Sequence, residues 1–382
     1  MEEWTGKKEF LDHMESHPEA TVQDKIKFLY QQEMGNGHTM GSEQDILHRL
    51  MEEKDSSLTP YQVDSRAGED RIQALPLFED LGNGWTRMNL QPLWDGDFSM
   101  ETMAKIVGWP FTNPEGDLNR LVKRLKEWVK VSDTESSLYL NDEDRRKVEA
   151  YLQAGCPIPS HSHKYRQAYQ PHYRVIRKEF AHYFSVIQRI ENHMRTSDSL
   201  VVAIDGPCGS GKSTLGRLLL QIYDANLFHM DDYYLTPQQQ TPERYRQPGG
   251  NVDHERFQQQ VLENISLGKD AWVQRYDCRN GVLEEGISVP YKPINIIEGS
   301  YSLRPNLHPY YHIKVFLTMD SVEQERRIRM RNGEEGWRQF QTKWIPLEND
   351  YFQQLNVKAT ADLVLTAFTD SWDYSKSENP EV

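Results

Sequence analysis

Apolar positions follow two different rhythms along this chain. Up to about residue 155 they recur at three- and four-residue steps. Leu118, Leu121, Val122, Leu125 and Val129 share one face, with Arg120, Lys123, Arg124 and Lys126 largely opposite, and this spacing predicts an amphipathic helix. Ser42 with Asp45 forms a capping box ahead of Ile46, Leu47 and Leu50. Asn141 is suited to cap a further helix that runs through Val148, Tyr151 and Leu152 and stops at Gly155. Polar stretches bearing Gly or Pro, residues 54–70 and 107–116, read as loops. The tripeptide Gly-Asn-Gly, at 35–37 and again at 82–84, reads as a turn because both residue types tolerate positive φ.

Residues 156–163, Cys-Pro-Ile-Pro-Ser-His-Ser-His, mark a boundary, since the prolines there break any helix. Cys156, His161 and His163 lack the second close pair of ligands that structural zinc sites use, so the stretch reads as a connecting segment. A new helical pattern then runs from Tyr173 through Ile176, Phe180, Tyr183, Ile187 and Ile190.

From Ser199 the rhythm changes. Short β-branched runs at 200–204, 227–230, 272–276, 294–297, 313–317 and 363–365 alternate with helical stretches at 211–223, 254–266, 321–331 and 337–354. Strands alternating with helices predict an α/β fold with a mostly parallel sheet covered on both faces. The expected organisation is a mainly helical domain at 1–155, a linker and connecting helix at 156–198, and an α/β domain at 199–382.

Net charge and cysteine usage narrow the function classes. A net charge of −14 argues against a general nucleic-acid binder, which needs a basic surface, while leaving room for a local basic pocket. The three cysteines are odd in number and far apart, which fits a reducing compartment rather than a disulfide framework. The first residues carry no apolar targeting core, and no apolar run reaches the length of a membrane span. The expectation is a cytoplasmic protein without membrane or nucleic-acid partners, and the sequence is compatible with an oligomer.

Gly206-Pro207-Cys208-Gly209-Ser210-Gly211-Lys212-Ser213-Thr214 matches the P-loop pattern, seated between an apolar strand and an amphipathic helix. Glycines let the backbone wrap phosphate oxygens and aim N–H groups at them, and the helix N-terminus adds its positive dipole end. Lys212 is expected to reach the β- and γ-phosphates of ATP, and the Ser213 hydroxyl to ligate Mg²⁺. The expected fold class is therefore α/β, a mostly parallel P-loop sheet with flanking helices, preceded by a mainly helical domain.

Downstream residues must separate kinases from motor, switch and transport NTPases. Asp231 and Asp232, with Tyr233 and Tyr234, follow a strand whose carboxyl end faces the phosphates. A carboxylate there can accept the proton of an attacking hydroxyl or hold a metal-bound water. Glu298 ends another buried strand, where an acid helps organise Mg²⁺. Arg326, Arg327, Arg329 and Arg331 lie on one helix, and at least one of them is expected to close over the triphosphate as a lid.

Together these segments resemble the uridine kinase-like branch of the P-loop kinases, related to phosphoribulokinase, over roughly residues 199–366. The resemblance implies that Asp231, within Met230-Asp231-Asp232-Tyr233-Tyr234, is the general base. It also implies that Asp253, within Asn251-Val252-Asp253-His254, holds the ribose hydroxyls, and that Tyr276-Asp277 lies at the nucleoside pocket. Glu298-Gly299 resembles the end of the Mg²⁺-side strand, and the arginines from Arg326 to Arg331 the lid. Tyr234, Asp253, Tyr276 and Arg279 are thus candidate acceptor-binding residues. This sequence departs from the family by having Cys278-Arg279-Asn280-Gly281 without the family's histidine, and Glu255 where a proline is usual. Both departures touch acceptor recognition rather than phosphate handling.

The expected activity is ATP- and Mg²⁺-dependent transfer of a phosphoryl group to a hydroxyl of a small, nucleoside-like acceptor such as uridine or cytidine. The alternatives are a kinase of a non-nucleoside metabolite such as pantothenate or a sugar phosphate, or an ATP-sensing regulator whose N-terminal half does the work. A kinase of nucleic-acid ends fits poorly with the acidic balance. The N-terminal half resembles no family, and its role stays open between regulation, oligomerisation, a second catalytic unit and partner binding.

Overall fold

The computed structural model describes residues 4–35, 42–58, 76–94, 98–112 and 116–369. They fall into two compact units, one ending at His182 and the other spanning Tyr183–Thr369.

The N-terminal unit is mainly helical, with helices α1 (Lys7–Ser16), α2 (Val22–Met34), α3 (Glu43–Leu58), α4 (Met100–Thr112), α5 (Leu118–Val131) and α6 (Asp142–Gln153). The caps form as their side chains dictate. Ser42 Oγ accepts from the Asp45 amide at 3.2 Å while Asp45 accepts from the Ser42 amide at 2.7 Å. Asn141 accepts from the Asp144 amide at 2.8 Å. The apolar stripe of α5 buries Leu121, Leu125 and Trp128 completely, and Trp128 packs edge-on to Phe10 with ring centroids 5.4 Å apart.

A small antiparallel sheet, in the order β1 (Phe78–Gly82), β2 (Trp85–Asn89) and β3 (Tyr173–Arg177), completes this unit. The second Gly-Asn-Gly is the turn of its hairpin, with φ of 78° at Gly82, 53° at Asn83 and 78° at Gly84. Of the first tripeptide, Gly35 follows α2 and the other two residues lie outside the described ones.

Three expectations for this unit are corrected. Residues 54–58 and 107–112 are helical, as the ends of α3 and α4; residues 59–70 and 113–115 lie outside the described ones. Gly108 is a packing glycine rather than a loop glycine, since a Cβ there would stand 3.2 Å from Ile46 Cδ1 on α3. Residues 173–177 form β3 rather than the start of a helix. Val175, Ile176 and Arg177 are all buried, so both faces of the strand are covered and its two-residue alternation is hidden. Helix begins after the strand, in the short helix Lys178–His182, and continues in Phe184–Met194.

The C-terminal unit is built on five parallel strands: β4 (Leu200–Asp205), β5 (Ala225–His229), β6 (Ile294–Glu298), β7 (Ile313–Thr318) and β8 (Leu363–Thr366), in the order β8-β7-β4-β6-β5. All residues of β4 and β6 are buried, as central strands of a covered parallel sheet must be. Helices α7 (Lys212–Ile222), α8 (Ser321–Gln339) and α9 (Ile345–Gln354) position the site. Gly333, at φ 69°, interrupts α8, which is two helices meeting at a bend. The strand expected at 272–276 is two short pieces, Ala271–Val273 and Tyr276–Asp277, each in its own antiparallel pair outside the main sheet. They are parted where Arg256 bonds the Gln274 carbonyl. Among the described residues no helix is long and apolar enough to cross a membrane.

Candidate active site

Strand register decides which loops meet. β6 runs parallel to both β4 and β5, with Glu298 level with Ile204 on one side and His229 on the other. The P-loop after β4, the Met230-Asp231 turn after β5 and the Glu298-Gly299 turn of β6 therefore leave one edge of the sheet side by side, at the carboxyl ends where α/β proteins bind ligands.

The P-loop residues adopt a phosphate-cradling shape. Gly206 has φ 145°, and a Cβ on it would lie 2.4 Å from the Leu317 carbonyl oxygen, so only glycine fits. Pro207 accepts from the Ser210 amide at 3.1 Å, and Gly209 and Gly211 have φ of 80° and 86°. Gly211 caps α7, whose first turn carries Lys212, Ser213 and Thr214. Lys212 Nζ donates to the carbonyls of Gly206 at 2.8 Å and Pro207 at 3.1 Å, and to Ser300 Oγ at 3.3 Å. The Ser210 hydroxyl is buried and has no hydrogen-bond partner among the described residues. An orphaned donor inside a glycine cradle fits a phosphate.

The two residues expected to hold Mg²⁺, Ser213 and Glu298, meet. Ser213 Oγ donates to Glu298 Oε1 at 3.1 Å, and His229 Nδ1 bonds the same carboxylate oxygen. Burial alone would raise the Glu298 carboxyl, but the His229 hydrogen bond and charge, with Lys212, more than offset it and hold the group below its ordinary range. The bond to Glu298 raises His229 in turn. Two adjacent hard oxygen donors, one of them anionic, suit Mg²⁺.

Asp231 follows this edge in a short turn, Met230–Asp232. The residue is exposed, although protein atoms crowd its carboxylate. That crowding, reinforced by Glu298 and Glu348 and opposed by Lys212, pushes its carboxyl up to about 6. Burial raises the Tyr234 phenol well above its usual value, and Asp231 is the next cause. Asp232 pairs with Arg275 at 3.3 Å instead of facing the cleft alone.

The remaining candidates divide. Asp253 is buried, caps the short helix His254–Phe257, and accepts from Gln239 Nε2 at 2.7 Å and Arg256 Nε at 3.2 Å. Tyr234 bridges to Val252 beside it. Tyr276 is half-buried, and Arg279 lies exposed in the turn of the Tyr276–Asp277 and Val282–Leu283 hairpin. Among the lid arginines Arg327 reaches the P-loop, donating to the Gly209 carbonyl at 3.3 Å while held by Glu323 at 2.7 Å. Arg326 instead forks onto Glu323 at 2.6 and 2.7 Å, and Arg331 bonds Asn332 at 2.8 Å.

The residues that hold the loop in place are mostly unmarked in the sequence. Glu348 on α9 is buried, accepting from the Cys208 amide at 2.8 Å and from Ser300 Oγ at 2.5 Å. Gln324 on α8 donates to the Cys208 carbonyl at 3.0 Å. Burial, then the nearby Glu348, drives the Cys208 thiol far above its ordinary value, so it is an inert wall of the loop. Asp205, fully buried at the end of β4, accepts from the amides of Gly206 at 2.7 Å and Leu303 at 2.8 Å and from the Tyr351 hydroxyl at 2.9 Å. Of these residues only Asp205 carries a usable signal, its place just before Gly206; nothing local marks Glu348 or Gln324. Asp205→Ala strands two buried amides, which should lower stability by about 2–4 kcal/mol. Denaturant unfolding of the variant against the parent checks this.

No protein-family model matches the sequence, and no curated protein matches it. Solved structures do match. A protein described as a possible uridine kinase from Bacillus stearothermophilus is 20% identical, covering 47% of this chain and 99% of that one, with a TM-score of 0.35. A candidate fructose transport system kinase from Silicibacter sp. is 22% identical, covering 47% and 95%, with a TM-score of 0.38. A candidate P-loop kinase with a circular permutation, from Saccharomyces cerevisiae, is 14% identical, covering 49% and 98%, with a TM-score of 0.38. Over about half its length, this chain is similar in structure to solved uridine kinase-like and other P-loop kinase folds.

Proposed function

We propose that the C-terminal unit is an ATP- and Mg²⁺-dependent kinase that phosphorylates a hydroxyl of a small acceptor, a nucleoside such as uridine or cytidine in the first reading. The observation that carries this is the strand register, which sets the turn bearing Asp231 beside the P-loop with Lys212 and the Ser213–Glu298 pair. A nucleotide switch needs the loop and the metal ligands; a proton acceptor at that place is what transfer to an alcohol adds.

In this reading the P-loop amides and Lys212 hold the triphosphate, with Arg327 beside Gly209. Ser213 and Glu298 would hold Mg²⁺, which when bound neutralises charge on the phosphate oxygens. Asp231 takes the proton from the acceptor hydroxyl, whose oxygen bonds to the γ-phosphorus as the bond to the ADP oxygen breaks. Catalysis is positioning and electrostatics throughout.

A second reading, a non-nucleoside alcohol such as pantothenate or a sugar phosphate, draws on the acceptor side. Both oxygens of Asp253 are already engaged, by the Arg256 backbone and side chain and by Gln239, and Glu255 is held by a two-pronged bond from Arg244. A ribose diol would have to displace the Gln239 amide to reach Asp253.

ADP release with Mg·ATP against a panel of nucleosides, pantothenate and sugar phosphates separates the two readings. Stimulation by uridine or cytidine supports the first, and stimulation by another alcohol the second. ATP binding with no stimulation by any acceptor would defeat both and favour an ATP-sensing regulator.

The pH profile follows from the sign of the Asp231 shift. With its carboxyl near 6, the base is ionised at neutral pH and protonated below. kcat/KM should fall about ten-fold per pH unit below that point. Initial rates between pH 5 and 8, measured at saturating Mg²⁺, check it, and a flat acidic limb would remove Asp231 from the role.

A further inference from the structure

The N-terminal unit carries an open cavity of about 410 Å³, lined by Lys27, Ser160, His161, Arg166, Gln170 and His172, among others. In a chain with a net charge of −14, none of the described residues that line it is a carboxylate. The lining comes from helix α2, from the connection at 159–162, from the short helix His163–Tyr169 and from the turn that follows it.

Positive charge gathers around this cavity. Lys27 is buried, with Nζ donating to the Pro159 carbonyl at 3.1 Å. Burial, then the guanidinium groups of Arg87 and Arg166, depresses its ammonium to about 8. The acids nearby are engaged with other groups. Asp24 accepts from His161, Ser162 and Thr21, and Glu79 pairs with Arg87 at 3.0 Å. Glu53 pairs with Arg174 and with His172 Nδ1, the latter at 3.1 Å. Arg166 is exposed and forms no ion pair among the described residues. His161 is a fixed wall, with one ring nitrogen on Asp24 and the other on the Tyr173 hydroxyl.

Lys27 and Arg166 both line the cavity, so an anion bound there would meet two positive side chains. Lys27 and Arg166 offer charge, while the Ser160 hydroxyl and the Gln170 amide offer neutral donors. Charged and neutral donors from several chain segments suit a group with several acceptor oxygens, as a phosphoryl group has. The volume falls in the range of small-molecule sites, roughly 300–1,000 Å³, and exceeds what phosphate alone would fill.

We infer that this cavity is a second ligand site, taking a small phosphate-bearing molecule with Lys27 and Arg166 as its charge partners. The inference is independent of the reading of the P-loop unit.

The test uses the full chain carrying Lys212→Ala, so that the P-loop grip on phosphate is weakened. Calorimetric titration with inorganic phosphate and with ribose 5-phosphate, at constant ionic strength, should show saturable binding at one site. Adding Arg166→Gln, an exposed position that folding tolerates, should weaken binding at least ten-fold, and Lys27→Gln should do the same. Tighter binding of ribose 5-phosphate than of inorganic phosphate identifies an organic phosphate as the ligand class; the reverse order identifies free phosphate. Absence of binding by either probe, or binding that Arg166→Gln leaves unchanged, overturns the proposal.

Discussion

Asp231→Asn should leave Mg·ATP binding intact and cut acceptor-dependent turnover by about 10²–10⁴-fold, the range that loss of a general base spans. The amide matches the carboxylate in size, so the Met230–Asp232 turn has no steric reason to move. What it lacks is basicity, and the acceptor's hydroxyl would have to attack with its proton still in place. Removing the negative charge of Asp231 should also hold or tighten affinity for the triphosphate, which an ionised carboxylate repels. Rapid-quench turnover with nucleotide titration measures both effects on one sample. The acidic limb of the pH profile should disappear along with the rate. Full turnover in this variant would end the assignment of Asp231 as the base.

Lys212→Ala should reduce kcat by about 10²–10³-fold or more, comparable to removing one preorganised donor from a transition-state site, and weaken Mg·ATP binding as well. In the structure the ammonium rests on the Gly206 and Pro207 carbonyls and Ser300, poised inside the loop that receives the phosphates. The loop itself is shaped by glycine φ angles and by bonds from Cys208 to Glu348 and from Gly206 to Asp205, which the variant keeps. Loss of activity should therefore come with a folded protein. Circular dichroism and unfolding midpoints near the parent's, together with the rate loss, are the expected pair. Retention of acceptor phosphorylation in the variant would overturn the role given to Lys212.

Both variants probe residues that local pattern along the chain is enough to single out. The P-loop declares itself because its demands are local: glycines where φ is positive, a lysine and a hydroxyl in the first turn, a strand ahead of it and a helix after. The central strands are legible for a similar reason, since β4 and β6 are buried on both faces and read as unbroken apolar runs. Caps at Ser42 and Asn141 and the stripe of α5 rest on contacts within a few residues.

Where contacts join distant parts of the chain, the sequence is silent or misleading. Glu348 meets Cys208 across 140 positions, and His229 meets Glu298 across 69. Nothing in the composition near either pair anticipates its partner. The family resemblance makes Asp253 a candidate for the acceptor side, but Gln239 and Arg256 come onto its oxygens only in three dimensions. β3 reads as helix because burial on both faces erases its alternation, and Gly108 reads as loop because a packing glycine and a turn glycine look alike in one dimension. Neighbours along the chain are thus enough to specify the P-loop, the parallel α/β plan and the principal caps. Which carboxylates share a site, which arginine reaches the loop, and where positive charge collects in the N-terminal unit are settled by packing instead. Those outcomes depend on strand order and helix contacts, which bring together groups that no local pattern links.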